Sequence, residues 1–216
     1  MVDTSHKMQL RTSDTTPYGR KVLLVAHELQ LIDKIEITQP IRGDLMQGMA
    51  PENPLGKMPT LITADGMLLY DSIVICEYLN DLVKGKIFPN VGPAKYHALR
   101  LHALADGMLE AALLRRIDPE TNQRPKSMQW LPPLPPQSAD FLALQWNKIQ
   151  RALKVAEQEI NGFGKEITIG VLSLANALGY LDFRFPKDDW RKDCQALSAW
   201  YKEFSKRPSF PATAPK

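Results

Sequence analysis

The sequence predicts an α/β unit followed by an all-helical unit. Three observations carry this. Residues 7–83 run in the order strand, helix, strand, β-hairpin, helix. From residue 90 onward every periodic segment has a helical period. Between them, "GKIFPNVGP" (85–93) gathers the glycines and prolines of a boundary. The expected division is residues 1–84, a linker over 85–92, and residues 93–216.

The elements follow in order. Met8 and Leu10 alternate with polar neighbours and predict a short strand. Next comes "LRTSDTTP" (10–17), with four hydroxyls and a carboxylate ahead of a proline. Pro17 suits a first helical turn, where its missing N–H costs nothing. The hydroxyls ahead of it are natural helix caps, or holders of an anion at the helix N-terminus. Val22, Leu23, Val25, Ala26 and Leu29 give the helix its apolar stripe. Ile35 and Ile37 predict a second strand. The segment from Ile41 to Gly56 reads as a short irregular helix among glycines and prolines. "TLIT" (60–63) and "MLLY" (67–70) flank Ala64-Asp65-Gly66, a hairpin signal. "SIVICEYLNDLV" (72–83) predicts a helix capped by Asp71 or Ser72.

In the second half, Leu101, Leu104, Ala105, Met108 and Ala112 form one stripe. Leu142, Trp146, Ile149, Leu153, Ala156 and Ile160 form another at bundle spacing. Thr168–Arg184 is apolar almost all round and is expected to be central. Leu197, Trp200, Tyr201 and Phe204 mark a last helix. "RPKSMQWLPPLPP" (124–136) reads as a stiff connector.

Composition narrows the function. The chain has 216 residues, 44% hydrophobic and 24% charged, with a formal charge of +3. Its longest basic runs are the pairs Arg20-Lys21 and Arg115-Arg116, which make no nucleic-acid footprint. No apolar run approaches the roughly 18 residues of a membrane span. The N-terminus has no signal-peptide core, so the cytoplasm is the expected location. Cys76 and Cys194 form no CxxC, and the four histidines form no HxxxH pair, so no metal site is expected. His97 and His102 read as surface or satisfied core residues.

Three pieces carry chemistry: "TTPYGRKV" (15–22), "NPLGKMPTL" (53–61) and "YDSIVICEYL" (70–79). Singly they are two capped helix starts and a turn. In this order they resemble the N-terminal half of glutathione transferases, and the resemblance extends over the whole chain. It implies a thioredoxin-like domain followed by an all-helical glutathione-transferase C-terminal domain. It implies a cis bond before Pro59, with the Met58 backbone pairing with glutathione as an added strand would. Asp71 and Ser72 match the positions that bind the γ-glutamyl end. Lys57 is a further candidate, for the glycine carboxylate or for ordering the loop. With the downstream helix as ruler, Thr16 falls on the position of the catalytic serine or cysteine. Thr15 and Ser13 are the alternatives.

The first piece is similar to the bacterial pattern "TSPYVRKV", with threonine for serine and Gly19 for valine. No cysteine stands near Pro17, which argues against mixed-disulfide chemistry. "ITIGVLSLANALGYLDFR" (167–184) is similar to the helix after the family's capping box, with Thr168 as cap and Val171 where an acid is usual. Asp106 matches an acidic residue that in related dimers reaches glutathione in the neighbouring subunit. Tyr96, Met108, Arg115 and Trp130 are candidates for the second-substrate pocket.

The resemblance thus implies a homodimeric glutathione transferase of the bacterial Ser/Thr type. Its co-substrate would be glutathione, and its partner a small hydrophobic electrophile or a peroxide. The alternative is a glutathione-binding regulatory or stress protein of the same fold.

Overall fold

A computed structural model of the chain describes residues 7–38, 49–116, 137–164 and 166–216. It divides into two compact units, residues 1–89 with 208–216, and residues 90–207.

The first unit is built on four strands: β1 (Met8–Arg11), β2 (Ile35–Thr38), β3 (Thr60–Ile62) and β4 (Leu68–Leu69). Their spatial order is β2-β1-β3-β4. β1 runs parallel to β2 and antiparallel to β3, and β3 is antiparallel to β4. Helix α1 (Pro17–Glu28) makes the crossover between the parallel strands, and α2 (Ser72–Leu82) follows β4. This is the thioredoxin-like arrangement. α1 and α2 pack together, burying Val22, Leu24, Val25 and Ala26 with Ile75, Cys76 and Leu79. One detail departs from the expected stripe: Leu24 is fully buried and Leu23 only half-buried. α1 is covered on more than one side, which a single amphipathic stripe does not describe. Ile37, on the edge strand β2, is 49% exposed, whereas Ile35 is buried.

The hairpin forms as its sequence predicts. Gly66 takes φ +86°, which favours glycine, and the Thr63 N–H donates to the Met67 carbonyl at 2.9 Å. Residues 39–48 of the expected irregular helix lie outside the described residues. In 49–56, the Glu52 and Asn53 N–H groups both donate to the Met49 carbonyl, at 2.9 and 2.7 Å, in a tight turn.

The expected linker begins inside the first unit. Asn80 is buried, and its Oδ1 accepts from the Ile87 N–H at 3.0 Å and the Phe88 N–H at 3.4 Å. Ile87 and Phe88 are thereby held in the core. The C-terminal tail also differs from its expected grouping with the helical half. Its short helix α7 (Ser209–Ala212) docks on α1. Ser209 Oγ donates to Glu28 at 2.6 Å, and Arg20 lies over the Phe210 ring, 5.1 Å from its centroid.

The second unit contains α3 (Gly92–Arg116), α4 (Ala139–Glu159), α5 (Ile169–Arg184) and α6 (Gln195–Phe204). Every residue of α5 from Ile169 to Leu181 is buried, as its all-round apolar sequence requires. α3 lies close against it at Gly170, where a Cβ would sit 2.6 Å from the Ala98 carbonyl oxygen. Thr168 caps α5 by accepting from the Val171 N–H at 3.5 Å. Residues 124–136 lie outside the described residues.

Candidate functional site

Strand register brings three loops to one end of the sheet. Arg11, the last residue of β1, is opposite Thr60, the first of β3. Leu61 is opposite Leu69 at the far end of β4. The segments just beyond those residues are 12–16, 57–59 and 70–72. The pieces that stand far apart in sequence therefore meet at one edge.

Arg11 anchors this edge. Its guanidinium forks onto Glu52 at 2.8 and 2.7 Å, and its third nitrogen donates to Thr38 Oγ1 at 2.6 Å. The hydrogen bond from Arg11 holds the Glu52 carboxyl below its ordinary range. The fork ties the root of the 12–16 loop to the segment leading into the 53–60 loop.

In the first loop, the Thr16 N–H donates to the Ser13 carbonyl at 3.2 Å, with Asp14 and Thr15 at the tip of the turn. Thr16 is the N-cap of α1 with extended backbone, and Pro17 follows in the first turn. Its hydroxyl makes no capping hydrogen bond. The expectation that these hydroxyls cap the helix therefore fails at the cap residue itself. Ser13, Thr15 and Thr16 are all partly exposed.

Gly19 explains both departures from the "TSPYVRKV" pattern. A Cβ there would lie 2.7 Å from Thr16 Cγ2 and 1.8 Å from Thr12 Oγ1. The methyl that distinguishes threonine from serine therefore faces the α-carbon of Gly19. The threonine and the glycine act as one packing unit, which leaves the hydroxyl of Thr16 on another branch of its Cβ. Thr12 is 1% exposed, and its hydroxyl has no hydrogen-bond partner among the described residues.

The second loop is organised by Asn53, whose part the sequence did not reveal. Its Nδ2 donates to the Lys57 carbonyl at 3.0 Å and to Thr60 Oγ1 at 3.1 Å. Its Oδ1 accepts from the Leu55 N–H at 3.0 Å. Gly56 takes φ +59° at the bend. Lys57 is exposed, Met58 half-buried and Pro59 buried, and the Met58–Pro59 bond is cis. Asn53→Ala strips all three bonds from a residue 1% exposed. It is expected to cost about 1–3 kcal/mol, through the groups left unpaired, in urea unfolding.

At the third segment, Asp71 caps α2 by accepting from the Ile73 N–H at 3.3 Å. Its carboxylate is exposed, whereas Ser72, the first helical residue, is 2% exposed. The Tyr70–Asp71 bond is also cis, which no sequence signal marked. The N–H groups of a first helical turn and the partial positive charge there suit a carboxylate ligand.

The remaining candidates lie in the helical unit. Asp106 is partly buried on α3, with Oδ2 3.5 Å from Nε2 of His102 one turn earlier. His102 Nδ1 meets Ser173 Oγ at 3.1 Å, so His102 is a satisfied core histidine. Met108 is 1% exposed and belongs to the core rather than to a pocket wall. Arg115 pairs with Asp188 and lies over the Trp146 and Phe185 rings, 4.7 Å from each centroid. Tyr96 is 70% exposed, and Trp130 lies outside the described residues. No group of three or more potential metal ligands occurs among the described residues. Cys76 and Cys194 are free and buried. No described helix is long and apolar enough to cross a membrane.

Comparison with known proteins places the chain in a family. The family model described as glutathione S-transferase, N-terminal domain, matches residues 15–82. An uncharacterized GST-like protein of Escherichia coli (strain K12), YibF, is 31% identical over 212 residues, covering 96% of this chain and 98% of its own. A glutathione transferase family member from Pseudomonas fluorescens Pf-5, solved with bound glutathione, is 36% identical with a TM-score of 0.85, covering 97% of this chain and 100% of that one. A second structure from that organism, solved with bound S-(propanoic acid)-glutathione, gives a TM-score of 0.81 at 36% identity and the same coverage. The chain belongs to the glutathione S-transferase family.

Proposed function

We propose that the protein is a glutathione transferase. The observation that carries this reading is the convergence of 12–16, 57–59 and 70–72 at one sheet edge. The Met58 backbone, beside Pro59, pairs with the peptide of glutathione. The α2 N-terminus takes the γ-glutamyl carboxylate with Ser72, and Asp71 faces the α-ammonium. Lys57 is the candidate for the glycine carboxylate. Thr16, whose hydroxyl is not spent on capping, donates to the thiolate. Thr15 and Ser13 are the alternative donors.

The chemistry needs no nucleophile from the protein. Donation to the sulfur favours the thiolate over the thiol. The thiolate attacks an electrophilic carbon of a small hydrophobic substrate, forming the C–S bond as the leaving group departs with its electron pair. With a hydroperoxide, the sulfur instead attacks the terminal oxygen, the O–O bond breaks, and the alcohol leaves as glutathione sulfenic acid forms. A second glutathione then displaces water and gives the disulfide. The relative solved with a glutathione thioether, S-(propanoic acid)-glutathione, supports conjugation. A cytoplasmic homodimer, with Asp106 as the candidate contact to the neighbouring subunit's glutathione, belongs to the same reading.

The test is capture on immobilised glutathione followed by conjugation and hydroperoxide assays. Capture with turnover is expected. Capture without turnover assigns the protein to glutathione binding in a regulatory or stress role. Failure of capture contradicts both. Ser72→Ala is expected to weaken glutathione binding by roughly 1–3 kcal/mol, as loss of a charged hydrogen bond does, read by calorimetric titration. Unchanged affinity removes Ser72 from the site.

A further inference from the structure

Two arginines at the ends of neighbouring helices carry charge that the described residues do not neutralise. Arg116 closes α3 and is 4% exposed, and Arg184 closes α5 and is half-buried. The Nε of each is buried without a hydrogen-bond partner among the described residues. The ion pairs among the described residues give neither a carboxylate. Their shared neighbour is Tyr180. Arg116 Nη1 donates to its hydroxyl at 3.4 Å, and Arg184 lies 5.9 Å from its ring centroid and 4.0 Å from that of Phe183.

Nearby arginines show the ordinary solution. Arg115 pairs with Asp188, and Arg191 with Asp182 at 2.7 Å. A guanidinium cannot escape burial by losing its proton near neutral pH. Burial, and then the charge of Arg116, push the pKa of Arg184 down. The negative ends of the two helix dipoles offset part of this charge, but they are partial charges and not a counter-ion.

We propose that Arg116, Arg184 and the Tyr180 hydroxyl form a binding site for a small oxyanion, a carboxylate or a phosphate monoester. Guanidinium forks match both groups in a bidentate way. Tyr180 accepts from Arg116 and so keeps its own proton to donate to the ligand. This site rests on the helical unit alone and stands whether or not glutathione binds elsewhere.

The test is thermal unfolding of the full chain titrated with sodium phosphate and, separately, with sodium acetate. Each is compared with sodium chloride at equal ionic strength. A ligand that binds only the folded state raises Tm by mass action. The expected result is a saturable rise beyond chloride, with the stronger of the two anions naming the ligand class. Arg184→Met keeps an apolar body against Phe183 and removes one of two adjacent like charges. It is expected to weaken the anion response about tenfold or more. No rise beyond chloride with either anion overturns the proposal. A rise undiminished in Arg184→Met, which reflects an adventitious ion only, also overturns it.

Discussion

Gly19→Ala is expected to destabilise the protein by about 1–3 kcal/mol, the usual cost of overpacking. It is also expected to disturb the end of the 12–16 loop. In an ordinary helix the same change gains roughly 1 kcal/mol, because alanine is the better helix former. Here the steric term wins. The new Cβ would lie 1.8 Å from Thr12 Oγ1 and 2.7 Å from Thr16 Cγ2. Thr12 is 1% exposed and has little room to turn aside.

The geometry also predicts a rescue. Thr12→Ala removes the nearer obstacle together with a buried hydroxyl that has no partner among the described residues. The double variant Thr12→Ala/Gly19→Ala should recover most of the stability lost by Gly19→Ala alone. Chemical denaturation of the four proteins of this cycle measures the coupling. Additive effects would mean that Thr12 and Gly19 do not compete for the same space. Thr16→Ser relieves only the second contact and should rescue less.

Much of the fold was legible because burial imposes period. Met8 and Leu10, Ile149 and Leu153, and the apolar run of α5 each report the face they bury. The Asp65-Gly66 turn and the caps at Asp71 and Thr168 were legible because local backbone hydrogen bonding selects those residue types. What stayed hidden depends on partners distant in sequence. Arg11 meets Glu52 across a strand and a helix. Leu24 is buried by packing on a second side of α1. Residues 209–212 return to the first unit through Glu28 and Arg20, and no periodicity announces that.

The candidate site shows the same division. Resemblance pointed to Thr16, Met58, Pro59, Asp71 and Ser72. Strand register brings their segments to one edge, since Arg11–Thr60 and Leu61–Leu69 set the ends of β1, β3 and β4 there. Asn53 was passed over as a turn residue. Its three hydrogen bonds close a loop only once the chain is folded. Met108 illustrates the opposite error, because a residue on an apolar stripe belongs to the core until a cavity beside it is shown. The pairing of Thr16 with Gly19 was visible as two substitutions in a pattern. Only the distance between them makes those substitutions one structural change.

The thiolate pKa of bound glutathione decides most directly whether Thr16 activates the sulfur. A free cysteine thiol titrates near about 8.5, and the thiolate absorbs in the ultraviolet where the thiol does not. A hydrogen bond to a charged group is worth roughly 1.5–3 kcal/mol, which corresponds to about 1–2 pKa units. Titration of the wild-type complex should therefore give a pKa well below that of free glutathione. In Thr16→Ala it should rise by about 1–2 units, with conjugation at neutral pH falling in proportion to the thiolate lost. Thr16→Ser should keep the low value. An unchanged pKa in Thr16→Ala, with the rise appearing in Thr15→Ala or Ser13→Ala instead, would contradict the assignment of Thr16 as the thiolate's partner.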